Sequence, residues 1–206
     1  MFTIVISLIA AYLLGSIPSA YIAGRLKKGI DIRTVGSKNM GTLNVYHEIG
    51  LAAAIPVLIV DMSKGIAAIL LSRWLGLPVI WQLVAGFTSV AGHCFPIFVH
   101  FRGGKGGAPA LAILLFLMPV AIPFFVVIAV IVLIITRNYA FCYSFALIVF
   151  PFTAWLTYSS KTLVFFSITL LLFLFIKYIP KLRDMYLKTG GSWLKVIKHS
   201  HFNERI

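Results

Sequence analysis

Long runs of apolar residues, interrupted by short polar segments, constrain this chain more than any other feature. About twenty apolar residues cross the hydrocarbon layer as a helix, and fewer suffice where a span is short or broken. Candidate spans cover residues 2–24, 51–72, 78–99, 107–120, 122–136, 139–158 and 162–179. The run 108–136 is too long for one untilted helix, and Pro119 and Pro123 interrupt it near the middle. Two short helices joined by a tight turn fit it better than one kinked helix. Composition agrees: 61% of residues are hydrophobic and 11% charged, where roughly a quarter of soluble-domain residues are charged. The expected fold is all-α, a polytopic integral membrane protein of about seven transmembrane helices. One transmembrane domain, 1–180, is followed by a basic tail, 181–206.

Charge orients the spans. Eighteen Lys and Arg face five acids, for a formal net charge of +13. With seven spans and the N-terminus outside, fifteen of the eighteen basic residues fall on inside segments. Arg73 and Lys161 fall outside, and Lys64 lies within a span. Cytoplasmic loops carry such an excess, so the C-terminus is expected in the cytoplasm; the expected location is the plasma membrane, crossed several times. The basic residues are scattered between apolar spans, which favours anionic lipid headgroups as partners over nucleic acid. The stretch 2–14 has no basic residue before it and is taken as the first span, not a cleaved signal. Cys94 and Cys142 lack CxxC spacing and are expected as packed free thiols.

Two inside loops carry the candidate chemistry. Asp31 to Gly50 gathers Gly36, Ser37, Asn39, Gly41, Thr42 and Asn44. Glycines let backbone N–H groups turn toward a ligand, and short hydroxyl and amide side chains add donors, so the loop can cradle a phosphate. The same residues also make ordinary helix connections. The second loop, Gly92 to Ala110, places Arg102-Gly-Gly-Lys-Gly-Gly before the next span. Glycines ahead of a helix N-terminus expose amides, the helix end is partly positive, and Lys105 adds a full charge; together they make an anion site. It is not a Walker loop, because Gly106 follows Lys105 where that motif needs Ser or Thr. Within the second span, Asp61 and Lys64 stand three residues apart and share a helix face. They form either a structural ion pair or a site in which Lys64 faces a polar cavity and binds an anion.

No carboxylate presents itself as a partner for a histidine, so a Ser-His-acid arrangement is not expected. His93, His100, His199 and His201 show no zinc-type spacing. Chemistry here must rest on positioning and electrostatic stabilisation, which suits a substrate already carrying a good leaving group.

At these residues the chain resembles the bacterial membrane glycerol-3-phosphate acyltransferases that use acyl phosphate as donor. The resemblance runs through GSIPSAY (15–21), GSKNMGTLNV (36–45), DMSKG (61–65) and GHCFPIFVHFRGGKG (92–106), four motifs in order over the first half of the chain. It implies acyl transfer from acyl phosphate to the 1-hydroxyl of glycerol 3-phosphate, giving lysophosphatidic acid and phosphate in phospholipid synthesis. It implies Ser37 and Lys105 as catalytic residues. The implied substrate-binding residues are Gly36, Asn39, Gly41, Asn44, His47, Lys64, His93, Gly103, Gly104 and Gly106. No metal or other cofactor is implied. The chain departs from the family pattern in three places. His47 stands where the family has arginine, GGKGVAT reads GGKGGAP, and the C-terminal HRxNIxRL is matched at 177–184 only by Arg183. The family's His falls on Lys177 and its Asn on Pro180.

Two other functions compete with an acyltransferase. A non-catalytic relative would bind phosphorylated lipid precursors without turning them over, which an activity assay separates. A small transporter would need unpaired acids or broken half-helices in its spans, and Asp61, the lone intramembrane acid, has Lys64 beside it.

Overall fold

Pro18 lacks the N–H that would continue a helix, and the first apolar segment breaks there into α1 (Phe2–Ser16) and α2 (Ser19–Lys28). The structure, a computed structural model, describes residues 1–192. The tail residues Lys195, Lys198, His199, His201 and Arg205 lie outside the described residues. Every element among the described residues is helical.

After α2 come α3 (Thr42–Glu48), a short helix inside the first polar loop, then α4 (Leu51–Trp74) and α5 (Val79–Cys94). Beyond the second polar loop lie α6 (Gly107–Leu117) and α7 (Ile122–Thr136), joined by a short 3-10 turn at Pro119–Ala121. The break expected between Pro119 and Pro123 is thus present. The segment expected as one span over 139–158 is instead α8 (Tyr139–Ala146) and α9 (Val149–Leu156). Pro151 explains this, since its ring clashes with the carbonyl four residues back, at Leu147. The last helix, α10 (Lys161–Lys188), runs on past the expected end of its span. Ser160 caps it, its hydroxyl accepting the Leu163 N–H.

Among the described residues, five helical stretches are long and apolar enough to cross a membrane: 2–28, 51–74, 79–99, 119–136 and 161–187. Two shorter apolar stretches, 107–117 and 142–156, coincide with the remaining expected spans.

The chain divides into two compact units, Met1–Phe116 and Leu117–Ile206. In the first, small residues let helices meet backbone to backbone. A Cβ on Gly15 would collide with the Ser89 carbonyl, and one on Gly92 with the Tyr12 carbonyl, so α1 and α5 cross as closely as backbones allow. A Cβ on Gly65 would press within 2.9 Å of Ile113. Hydroxyls cross-link the helices: Ser7 and Ser72 lie 2.6 Å apart between α1 and α4, and the Ser89 hydroxyl donates to the Lys64 carbonyl. In the second unit α7 packs with α8, and α9 with α10. Phe125 and Phe150 meet at a centroid distance of 5.8 Å.

Candidate active site

The first polar loop must double back onto α3, and Asn44 ties it down. Its amide donates to the carbonyls of Ile32 (2.9 Å) and Val35 (3.2 Å), and its oxygen accepts the Ser37 N–H at 3.0 Å. Asn44 is 3% exposed. Expected as a substrate donor, its amide is engaged with the loop's own backbone. Gly36 has φ 55, and a Cβ there would collide with Glu48 and Asn44. Only glycine passes this point without strain. The loop therefore turns so that Ser37 is exposed, and its hydroxyl has no partner among the described residues. Asn39 folds over Gly41, whose N–H donates to the Asn39 carbonyl at 3.0 Å. His47 is exposed on α3, its ring edge-on to Tyr46 at 5.2 Å.

Arg33 joins the first loop to the second. It pairs with Asp31 at 2.8 Å, donates to the Val99 carbonyl at 2.8 Å, and lies 5.0 Å over the Tyr21 ring. The Arg33 hydrogen bond holds the Asp31 carboxyl below its ordinary value, and the same bond raises Arg33.

The second loop leaves α5 at Cys94 and folds back beneath its last turn. Gly104 donates its N–H to the His93 carbonyl at 3.1 Å. A Cβ on Gly104 would collide with the His93 ring nitrogen Nε2 and stand 2.7 Å from the Met40 carbonyl. A Cβ on Gly103 would collide with the His93 carbonyl. The two loops thus meet at Gly104, one against the other, and the glycines there act as spacers. Gly106, at φ 82, turns the chain into α6, so the glycine run does precede a helix N-terminus. Lys105 is half-buried in this turn.

Beneath the loops lies a buried polar cluster. Asp61 Oδ1 accepts from the Ser19 hydroxyl at 2.7 Å and the Lys64 ammonium at 2.8 Å, and His93 Nδ1 stands 3.4 Å away. Lys64 also donates to the Ile17 carbonyl at 3.3 Å, one of the acceptors released where Pro18 breaks the helix. Lys64 is 4% exposed, so its charge is met from within the fold. The expectation that no histidine has a carboxylate partner is corrected here, because Asp61 is beside His93. The two residues lie 32 positions apart on different helices, and only the packing of α4 on α5 brings them together. The Ser19 hydroxyl bonds to the carboxylate, and the far side of the imidazole packs against Gly104.

A cleft of about 220 Å³ opens between the loops, lined by Asp31, Arg33, Thr34, Lys38, Arg102 and Gly103. Among the expected site residues only Gly103 lines it. Lys38 and Arg102 escaped the sequence reading because nothing in their spacing marks two separate loops as neighbours. A lysine between serine and asparagine in a glycine-rich turn was the one available sign.

The sequence profile of the glycerol-3-phosphate acyltransferase family matches residues 5–187. Glycerol-3-phosphate acyltransferase 2 of Dehalococcoides mccartyi is 40% identical over 204 residues, covering 98% of this chain and 97% of the relative. Two crystal structures of an integral membrane glycerol 3-phosphate acyltransferase share the fold. The one in its glycerol 3-phosphate form has a TM-score of 0.80 and 27% identity, covering 92% of this chain and 94% of that one. The one in its lysophosphatidic acid form has a TM-score of 0.78 and 26% identity, covering 94% and 98%.

Proposed function

The chain belongs to the glycerol-3-phosphate acyltransferase family, and on that footing we propose that it draws its acyl group from an acyl phosphate at the cytoplasmic face of the plasma membrane. It is a multi-pass membrane acyltransferase that acylates glycerol 3-phosphate in phospholipid synthesis.

The observation that carries the donor assignment is the position of His93. It makes the one histidine–carboxylate contact among the described residues, and its ring is buried against Gly104. With His93 committed to Asp61, transfer depends on the leaving group, and phosphate leaves readily from an acyl phosphate. The 1-hydroxyl oxygen of glycerol 3-phosphate attacks the acyl carbonyl, the bond from that carbonyl to the phosphate oxygen breaks, and the departing phosphate takes up the hydroxyl proton. Lysophosphatidic acid and inorganic phosphate result. Lys105 and the amides of Gly103 and Gly106 would neutralise charge on the phosphate as it leaves, and the Ser37 hydroxyl would bond to the reacting group. A seven-span layout with the N-terminus outside puts both loops in the cytoplasm, where fifteen basic residues belong.

Purified protein supplied with glycerol 3-phosphate and either acyl phosphate or acyl-CoA tests the donor. Turnover with acyl phosphate alone is expected, and an equal rate with acyl-CoA overturns the assignment. A tag at the N-terminus should be reached only from outside the cell, and one after Ile206 only from the cytoplasm.

A further inference from the structure

We infer that His93 is a positioning residue for the transfer: its ring is the seat on which Gly104 meets the Met40 carbonyl, and it thereby holds Lys105 against the Ser37 loop. This rests on the reading that Lys105 meets the charge of the departing phosphate. A cation on a glycine-rich turn has no fixed place of its own, because glycines leave the backbone free. Electrostatic stabilisation is largest where the charge is already in place when the reaction begins. Something else must hold the turn.

One residue supplies the hold. The spot a Gly104 Cβ would take lies against His93 Nε2 and 2.7 Å from the Met40 carbonyl, so the ring and both loops converge there. The His93 carbonyl accepts the Gly104 N–H at 3.1 Å, and a Cβ on Gly103 would collide with that same carbonyl. His93 therefore touches the turn with its backbone and with its ring. Lys105 is the next residue along the turn, and Met40 stands three residues after Ser37. Met40 and Gly104 are buried and His93 is 4% exposed, so the ring faces protein on every side. Expected as a substrate ligand, His93 is placed as a support.

His93 is itself held from both sides in the chain. Gly92 sits against the Tyr12 carbonyl where α1 and α5 cross, and the Tyr12 hydroxyl donates to the Phe95 carbonyl at 2.7 Å. The ring is held from below. Its Nδ1 stands 3.4 Å from Asp61 Oδ1, and that oxygen is fixed in turn by the Ser19 hydroxyl and the Lys64 ammonium. A buried ion pair adds little to stability once the cost of removing two charges from water is counted. Orienting the ring gives this pair a use. A reacting group is held to the required tolerance only when its supports are themselves fixed by packing and hydrogen bonds.

The two ring nitrogens let the seat be separated from its support. His93→Gln keeps a polar atom where Nε2 meets Gly104, whereas His93→Asn keeps one where Nδ1 faces Asp61 and empties the seat. The test is steady-state turnover by the purified full chain in nanodiscs, with acyl phosphate and glycerol 3-phosphate each varied, beside thermal unfolding of each variant. His93→Asn should lower kcat about thirtyfold and His93→Gln less than about threefold, with both KM values within about twofold of the parent's. The thermal midpoint should run the other way, with His93→Asn at or above His93→Gln. Rates that follow the midpoint, or that stay at the parent's in both variants, overturn the assignment. So does a rise in KM for glycerol 3-phosphate at constant kcat, which would make His93 a substrate ligand. Lys105→Met at the parent rate sinks the catalytic reading and the assignment with it, and that failure is recognised separately, in a variant that leaves His93 untouched.

Discussion

The two units of this protein differ in how far their hydroxyls reach. In the second, the hydroxyls of Thr136, Thr153, Ser167 and Thr169 bond back to carbonyls three or four residues earlier on their own helices. Helix α7 buries none of its side chains within the protein and has a mean hydropathy of 2.9 over the stretch 119–136. Such residues satisfy themselves and specify little. In the first unit Ser63 and Thr88 do the same, but other polar groups bond across elements: Ser7 with Ser72, Ser19 with Asp61, Ser89 with the Lys64 carbonyl and Lys64 with the Ile17 carbonyl. Where no hydrophobic effect drives helices together, such bonds and close packing hold them. A unit that must hold two loops in register needs them; an apolar unit presented to lipid does not.

Substitutions can break that contrast. The largest effect is expected at the closest crossing. Gly15→Ala puts a Cβ into the Ser89 carbonyl, with backbone on both sides and nothing able to yield. It should cost about 3 kcal/mol in unfolding titrations, near the upper end of overpacking penalties. An alanine at an exposed α7 position such as Val127 should cost under about 0.5 kcal/mol.

Next comes the buried pair. Lys64→Met alone leaves Asp61 charged and buried, with Ser19 and His93 its remaining neighbours, and should cost about 3 kcal/mol. Adding Asp61→Asn should recover part of that loss, and full additivity in the double variant would show that the two charges do not act as a pair.

Smaller again is Ser72→Ala, which removes the bond to Ser7 between helices together with one to the Ala68 carbonyl, and should cost about 0.6 kcal/mol. Thr153→Ala, whose bond stays within its own helix, should cost less still. If the order were reversed, cross-helix bonding would not be what distinguishes the units.

The smallest effect is expected in acid. Asp31 has its folded-state value depressed by Arg33, so its contribution is complete above the ordinary carboxylate value of 3.8 and fades as pH falls below it. The thermal midpoint of Asp31→Asn should therefore lie below the parent's at pH 6, and the gap should narrow at pH 3.

Much of this fold could be read from the chain itself, because bilayer length and proline positions are strong signals. Pro119 and Pro123 announced the turn between α6 and α7, and the Asp61–Lys64 pair followed from helical spacing. Pro18 and Pro151 carried the same information and were overridden by the apolar residues around them, which made one span of two helices each time. The candidate site was legible as two glycine-rich loops, not as an arrangement. Asn44 looks like any loop asparagine until its amide is seen bonded to Ile32, Val35 and Ser37. Asp61 and His93, or Lys38 and Arg102, are neighbours only after α4, α5 and the loops have packed. Spacing within one element shows in a sequence, and contact between elements does not.

Under the proposed reaction, the exposed Ser37 and the loop cation Lys105 perform the transfer while the buried polar groups hold their loops in place. Phosphate release by purified Ser37→Ala and Lys105→Met, with acyl phosphate and saturating glycerol 3-phosphate, decides whether labour is divided in this way. Each variant should lose activity by about a hundredfold or more, roughly 3 kcal/mol of transition-state stabilisation, with an unchanged thermal midpoint. A correctly folded variant of either residue that keeps a third of the parent rate contradicts it.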